Sequence, residues 1–102
     1  MPLLLGIDVG TTGAKALIIG DDGRIRGSGR AEYSFSAPRP GWTEQDPEAW
    51  WQGAGDSIRA ALRAAAARPD EIAAVGLSGQ MHSLVLLDQA GRVLRPAILW
   101  ND

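Results

Sequence analysis

One acidic side chain, Asp8, lies among glycines near the start of the chain, in the sequence GIDVGTTGAK of residues 6–15. Side chains alternate between the two faces of a strand, so Asp8 shares its face with Gly6 and Gly10. Because neither glycine has a side chain, another molecule can approach the carboxylate closely. A carboxylate held there without a cation would be energetically costly. We therefore predict that Asp8 meets a cation, and Mg²⁺ carried by a chain of phosphate groups fits these surroundings.

The turn after this strand, residues 10–13, has the groups that bind an anion. Successive backbone N–H groups in a glycine-bearing turn form a nest for anions, and the two threonines add hydroxyl donors. The only lysine of the chain follows two residues after the turn and could add a positive charge. The alternative is an ordinary hairpin turn beside a solvated Asp8. The predicted phosphate-binding residues are Gly10, Thr11, Thr12, Gly13 and Lys15.

This turn follows neither of the commoner glycine motifs. No G-x-G-x-x-G sequence leads into a helix, so the dinucleotide-binding pattern is absent. The P-loop pattern fails because Ala16 follows Lys15 where that pattern has Ser or Thr.

A second group of candidate residues follows the apolar segment 72–78. In open α/β sheets, ligands bind outside the carboxyl ends of the strands. If this segment is a strand parallel to the first one, its carboxyl end and Asp8 face one cleft. The only histidine could then exchange a hydrogen bond with a hydroxyl group, although a structural histidine beside a core methionine is the alternative. The candidates are Gln80, Met81 and His82.

The last residues repeat this arrangement, because two polar residues directly follow the apolar segment 97–100. Asn101 and Asp102 suit the recognition of hydroxyl groups, and the indole of Trp100 suits the apolar face of a sugar. A strand followed by a simple turn is the alternative. The abrupt end after an apolar segment is typical of a truncated domain, since a natural terminus usually frays or docks.

The elements that must position these groups can be predicted from apolar periodicity and turn residues. Strands are predicted at 3–9, 14–19 and 25–35, with a hairpin turn at residues 20–23. In the third strand the odd-numbered positions, which include two glycines, share the buried face. Further strands are predicted at 72–78, 84–87, 92–94 and 97–100, with a turn at 88–91.

One helix is predicted between the third strand and segment 72–78. Asp46 supplies an N-cap acceptor and Pro47 suits the first helical position. An apolar stripe at helical spacing continues to about Ala67, before Pro69, and Gly53 and Gly55 each weaken the helix by about 1 kcal/mol relative to alanine. Three antiparallel strands, a crossover helix and a parallel strand predict an α/β fold, in which the later strands extend a mixed sheet that has the helix on one face.

Composition narrows the class of protein. A chain of 102 residues suggests one domain, and a mixed net charge of -2 gives no basic stripe for nucleic acid. The absence of cysteine fits a reducing compartment. The start of the chain lacks the basic residues of a signal peptide, and no apolar run reaches membrane-spanning length. We therefore expect a cytoplasmic protein that binds neither nucleic acid nor membrane.

Four segments together resemble the N-terminal part of the FGGY family of carbohydrate kinases. They occur in the order of the family: GIDVGTTGAK, PGWTEQDPEAWW, GLSGQMHS and LRPAILWND. The resemblance covers almost the whole chain and implies the ribonuclease H-like fold of actin and hexokinase. It also implies ATP-dependent transfer of a phosphoryl group to a sugar hydroxyl, with Mg²⁺, and is strongest to the members that phosphorylate D-xylulose to D-xylulose 5-phosphate.

Carried over by position, the resemblance implies that Asp8 helps to place Mg²⁺ and the phosphates. The glycine-threonine turn and Lys15 match the nucleotide-phosphate turn of the family. Met81 and His82 match its sugar-binding pair, and residues 100–102 lie at the sugar-side strand end. On this basis residues 1–102 form the first part of domain I, while the catalytic base and the second, nucleotide-binding domain lie beyond Asp102. This chain alone is then expected to be inactive, and the full enzyme to be a possible homodimer.

Ser83 departs from the members that phosphorylate D-xylulose, which usually have glycine there, whereas gluconate-specific members often have serine. Gluconate and other sugars therefore stay open as substrates. Two other classes of function also remain open. An actin-like nucleotide switch without catalysis would keep Asp8 and the threonine turn but would not need Gln80 to His82. A stand-alone binding module would need no further chain.

Overall fold

The computed structural model describes residues 2–81 and 83–100, so His82, Asn101 and Asp102 lie outside the described residues. Its helices and strands are β1 (Leu3–Val9), β2 (Gly13–Gly20), β3 (Ile25–Glu32), β4 (Glu44–Gln45), α1 (Pro47–Ala65), a short 3₁₀ helix (Pro69–Glu71), β5 (Ile72–Gly79) and β6 (Ala97–Ile98).

The main sheet has four strands in the order β3-β2-β1-β5. The first three strands are antiparallel neighbours, and β5 lies parallel to β1, with Asp8 opposite Ser78. This confirms the predicted mixed sheet and the predicted parallel strand. It also brings the carboxyl ends of β1 and β5 together at one edge of the sheet.

Helix α1 covers one face of the sheet, where Leu3, Leu5 and Ile18 form the core with Ala61 of the helix. The predicted alternation of β1 is therefore confirmed, because Leu3 and Leu5 are buried while Asp8 is exposed on the opposite face. The helix begins as predicted: the Asp46 side chain accepts a hydrogen bond from the N–H of Glu48, and Pro47 occupies the first turn.

The predicted end of the helix, near Ala67, is two residues too late. The last helical residue is Ala65, and Ala66 adopts a left-handed conformation with φ of 51°. Its N–H group donates to the carbonyl of Arg63, which closes the last turn. Arg68 is then extended, as expected for a residue that precedes a proline.

The third strand ends at Glu32 and does not reach Phe35 as predicted. Glu32 lies opposite Gly13, where β2 begins, so the chain beyond this pair has no partner strand in the main sheet. Ser36 instead forms a bridge with Glu44.

The C-terminal strands differ most from the prediction. Segments 84–87 and 92–94 contain only isolated bridges, from Leu84 to Ile98 and from Leu87 to Val93. The predicted turn between them is present, with Gly91 at φ of 82°. Only Ala97–Ile98 of the segment 97–100 is a strand, and it pairs with β4 instead of extending the main sheet. Residues 44–45 were predicted as loop, and they become a strand because β6 supplies a partner.

Within the described residues, α1 is too polar to cross a membrane, and no other helix is long enough to do so.

Candidate active site

The candidate site lies where β1 and β5 end side by side. Val9 is opposite Gly79, and the N–H group of Gln80 donates to the carbonyl of Val9 at 2.9 Å. The turn of residues 10–13 and the segment that begins at Gln80 therefore leave the sheet next to each other. The parallel pairing of these two strands is what makes the two predicted groups neighbours.

A cleft of about 480 Å³ opens at this edge of the sheet. It combines parts of all three predicted groups: the acidic strand end with its turn, the segment after β5, and the end of the chain. Its lining consists of Asp8, Gly10, Thr11, Gly79, Gln80, Met81 and Trp100.

Direct hydrogen bonds join the three groups. The indole N–H of Trp100 donates to Thr11 Oγ1 at 3.1 Å. The Thr11 hydroxyl donates in turn to Gln80 Oε1 at 3.2 Å. The Thr11 hydroxyl is thus engaged by protein on both sides, so its contribution to phosphate binding would come from its backbone N–H.

The carbonyl groups of the turn are all held by protein donors. Tyr33 donates its hydroxyl to Gly10 O and its N–H to Thr12 O, and Gln45 Nε2 donates to Thr11 O at 2.7 Å. In a trans peptide, the carbonyl of one residue and the N–H of the next point in opposite directions, and the described residues contain no cis peptide bond. The N–H groups of Thr11, Thr12 and Gly13 therefore each point away from the donor that holds the preceding carbonyl, and they are the candidate groups for binding an anion.

Lys15, which was predicted to act with the turn, does not line the cleft. It lies opposite Asp8 in the β1–β2 pair, and its side chain is exposed. Both residues line an open depression of about 710 Å³ on the sheet face opposite α1, next to the cleft. Asp8 thus borders both spaces, whereas Lys15 borders only the depression.

The predicted site residues did not include Gln45 or Tyr33, which hold the turn in place. Gln45 is only 2% exposed and lies in β4, next to the N-cap residue Asp46. A glutamine in a loop carries no local signal of burial. The sequence contains only a weak indication that Gln45 is buried: it directly precedes the N-cap residue Asp46, and the chain at a helix start often packs against the rest of the fold.

Tyr33 lies close enough to Asp8 for the two groups to interact electrostatically. Partial burial, and then the negative charge of Asp8, raise the pKa of the Tyr33 hydroxyl above its ordinary value of 10.0. The hydroxyl is therefore protonated at neutral pH and available as the donor to Gly10 O.

The donor set of the cleft fits a magnesium ion held mainly by phosphate. No group of three or more acidic or histidine side chains that could hold a metal occurs in residues 2–81 and 83–100. Mg²⁺ is commonly bound by one or two carboxylates together with substrate phosphates and water. A single exposed carboxylate, Asp8, beside the turn predicted to bind phosphate matches that mode of binding.

Fold and cleft together define a mixed α/β protein with a candidate phosphate site at the carboxyl ends of two parallel strands. The N-terminal domain of the FGGY family of carbohydrate kinases matches residues 3–102, and the chain belongs to that family. Its fold is accordingly the ribonuclease H-like fold of the actin and hexokinase type, as the resemblance implied.

Proteins similar to this chain are considerably longer. A xylulose kinase of Escherichia coli (strain K12) is 45% identical over 100 residues, which is 98% of this chain and 20% of that protein. A glycerol kinase of Thermococcus onnurineus (strain NA1) is 36% identical over 98 residues, covering 96% of this chain and 20% of that protein. The crystal structure of a xyloylose kinase from Brucella ovis, 47% identical, has a TM-score of 0.89 and covers 98% of this chain and 21% of that one. The chain thus spans about a fifth of the length of these relatives.

Proposed function

We propose that this chain is the N-terminal part of an ATP-dependent sugar kinase that phosphorylates D-xylulose to D-xylulose 5-phosphate. The observation that carries the proposal is the single cleft at the ends of β1 and β5. In it, an acidic strand end and an anion-binding turn face the segment of Gln80 and Met81 and the indole of Trp100. Membership of a carbohydrate kinase family and similarity to xylulose kinases support the same activity.

In this proposal the turn binds the phosphates of ATP through the N–H groups of Thr11, Thr12 and Gly13. Lys15 adds positive charge from the neighbouring depression. Asp8 holds Mg²⁺, which would offset the negative charge of the phosphates during transfer. The residues of this chain would act by positioning and electrostatic stabilisation, which dominate phosphoryl transfer.

The sugar would bind on the other side of the cleft. Gln80, Met81 and Trp100 line that side, and His82, Asn101 and Asp102 are proposed to complete it. The base that accepts the proton of the sugar hydroxyl, and the domain that holds the adenosine, are proposed to lie in the remainder of a longer protein.

Gluconate and glycerol are the alternative substrates. Gluconate was suggested by Ser83, which lines an adjoining cavity of about 310 Å³ with Trp50 and Val85. Gly79 and Gln80 line both this cavity and the main cleft, so Ser83 lies next to the proposed sugar side. Glycerol is an alternative substrate because the chain is similar to a glycerol kinase.

An actin-like nucleotide switch is the competing class of function. It would use Asp8 and the turn but would have no need for an amide, a thioether and an indole in the same cleft. The two classes differ in one measurable property, because only a kinase forms ADP in response to an added sugar.

The proposal is tested with the complete gene product that contains this sequence. ADP formation is measured with Mg²⁺ and ATP, alone and with D-xylulose, gluconate or glycerol. We expect the largest stimulation with D-xylulose, and a loss of about 100-fold in turnover for Asp8→Ala, since electrostatic groups at the reacting phosphates contribute about this much. Asp21→Ala, which removes an exposed carboxylate in the β2–β3 turn, is the matched control and should behave as wild type.

Two outcomes would contradict the proposal. ATP hydrolysis that no sugar stimulates would favour the nucleotide switch. Near-normal turnover of Asp8→Ala, with an unchanged dependence on Mg²⁺, would reject the role of Asp8.

A cytoplasmic location and a homodimer of the longer protein also belong to this proposal. The cysteine-free sequence fits a reducing compartment. Light scattering of the complete gene product after size-exclusion chromatography would measure its oligomeric state.

A further inference from the structure

The side chain of Gln45 uses every hydrogen-bonding position of its amide. Its Nε2 donates to Thr11 O at 2.7 Å and to Ser34 O at 3.3 Å. Its Oε1 accepts from Trp50 Nε1 at 2.6 Å and from Gln80 Nε2 at 3.1 Å. Two donors and two acceptor positions are the full capacity of an amide. A rotated amide would place like groups against each other at all four contacts, so this orientation is fixed.

These contacts join the two sides of the cleft. Thr11 belongs to the turn proposed to bind phosphate, and Gln80 belongs to the segment proposed to bind the sugar. Gln45 lies behind both, in β4, and is buried outside the cleft lining. We propose that Gln45 is a positioning residue that sets the phosphate turn and the Gln80 segment at a fixed distance, and thereby aligns ATP with the sugar. This inference rests on the proposed kinase function.

The hydrogen bond to Thr11 O decides which way one peptide of the turn points. While Gln45 holds this carbonyl, the N–H group of Thr12 points to the opposite side. Without the donor, the peptide can rotate and present a carbonyl oxygen where a phosphate oxygen should bind. Loss of Gln45 should therefore weaken the binding of the nucleotide phosphates.

The hydrogen bond from Gln80 decides the orientation of the second amide. Gln80 Nε2 donates to Gln45, and this leaves Gln80 Oε1 to accept from the Thr11 hydroxyl. Without Gln45, one of these two fixed contacts is gone and the Gln80 side chain can rotate. Loss of Gln45 should therefore also weaken sugar binding, although Gln45 itself does not touch the cleft.

Tyr33 provides a contrast, because it supports the turn alone. Its hydroxyl donates to Gly10 O and its N–H donates to Thr12 O. None of its described hydrogen bonds reaches Gln80, Met81 or Trp100. Tyr33→Phe, which removes only the hydroxyl, should affect the nucleotide and leave the sugar unaffected.

The experiment measures KM for ATP, KM for D-xylulose and kcat in the complete gene product. It also measures the equilibrium Kd of a non-hydrolysable ATP analogue with Mg²⁺. For Gln45→Met, we expect both KM values and the Kd to rise about tenfold. Of the four hydrogen bonds lost, the one to Thr11 O bears on the nucleotide and the one from Gln80 bears on the sugar, and one buried hydrogen bond corresponds to a change of about this size. For Tyr33→Phe, we expect a similar rise in KM for ATP and in Kd, with KM for the sugar unchanged.

Two further variants separate positioning from folding. Trp50→Phe removes one donor to Gln45 Oε1 but leaves Gln45 in place, so it should shift the same constants by a smaller factor even if Gln45→Met does not fold. Ser57→Ala removes a buried hydrogen bond of 2.8 Å to Ala54 O in the same helix, with no described contact to the turn. It should lower the free energy of unfolding without changing either KM.

The possible results distinguish this inference from the function on which it rests. If the wild-type protein shows no sugar-dependent ADP formation, the proposed function and this inference both fail. If the wild type is active, unchanged constants in Gln45→Met and Trp50→Phe would overturn the inference alone. A rise confined to KM for ATP would also overturn it, because Gln45 would then support the turn without linking it to the sugar side.

Discussion

Two glycines of helix α1, Gly53 and Gly55, are predicted to respond in opposite ways to the same substitution. The sequence treats them alike, since each lowers helix stability by about 1 kcal/mol relative to alanine. In the structure, a Cβ atom at Gly53 would lie 2.8 Å from Cδ2 and 2.9 Å from Cε2 of Tyr33. At Gly55 the nearest group is the flexible guanidinium of Arg59, at 3.2 Å.

The Tyr33 ring cannot easily move away from a new methyl group at position 53. Its hydroxyl is fixed to Gly10 O in the turn, and ordinary carbon contacts need about 3.5–4.0 Å. Inserting a methyl group into such packing costs about 1–3 kcal/mol, against a gain of about 1 kcal/mol from helix propensity. Gly53→Ala should therefore change stability by a net loss of about 0–2 kcal/mol, whereas Gly55→Ala should gain up to about 1 kcal/mol.

The assay is equilibrium unfolding of the complete gene product in urea, together with the Kd of the non-hydrolysable ATP analogue. Gly53→Ala should also weaken nucleotide binding, because a displaced Tyr33 ring carries its hydroxyl away from the turn. Gly55→Ala should leave that Kd unchanged. If both variants gain stability equally and bind the nucleotide as wild type does, the close approach of α1 to Tyr33 is wrong.

Two predictions concern other parts of the fold. Gly29→Ala should lower the free energy of unfolding in urea by about 1–3 kcal/mol, because its Cβ would lie 2.3 Å from Ser57 O and 2.7 Å from Ala61 N. The control Ser28→Ala, on the opposite and exposed face of β3, should change the free energy of unfolding little. Equal effects of the two substitutions would contradict the packing of α1 on β3. The raised pKa of Tyr33 gives a pH dependence: the folded protein holds the hydroxyl proton more tightly than the unfolded chain, so this stabilisation is complete below the ordinary value of 10.0 and is lost as the pH rises through the raised value. The difference in free energy of unfolding between wild type and Tyr33→Phe should therefore stay constant below pH 10.0 and shrink as the pH rises above that value. A difference that stays constant above pH 10.0 would show that the hydroxyl does not titrate differently in the folded state.

The sequence by itself determined the elements that depend on short-range patterns. Strict alternation in β1 placed Asp8 on the face opposite the core, and Asp46 with Pro47 marked the start of α1. An apolar segment after a helix indicated that β5 is parallel to β1, and this predicted that the two strand ends would share one edge. The first two features follow from residues within a few positions of each other. The third follows from the order of strand, helix and strand along the chain, because such a crossover joins parallel strands.

Only the tertiary structure decided how the candidate site is held together. Gln45 and Gln80 are 35 residues apart, and Thr11 and Trp100 are 89 residues apart. No local pattern relates such residues, because their hydrogen bonds depend on β4 pairing with β6 and on α1 packing against the sheet. The different surroundings of Gly53 and Gly55 arise in the same way. A chain specifies its strands and helices through neighbouring residues, whereas the orientation of a buried amide or a peptide in a turn depends on which distant groups the completed packing brings into contact.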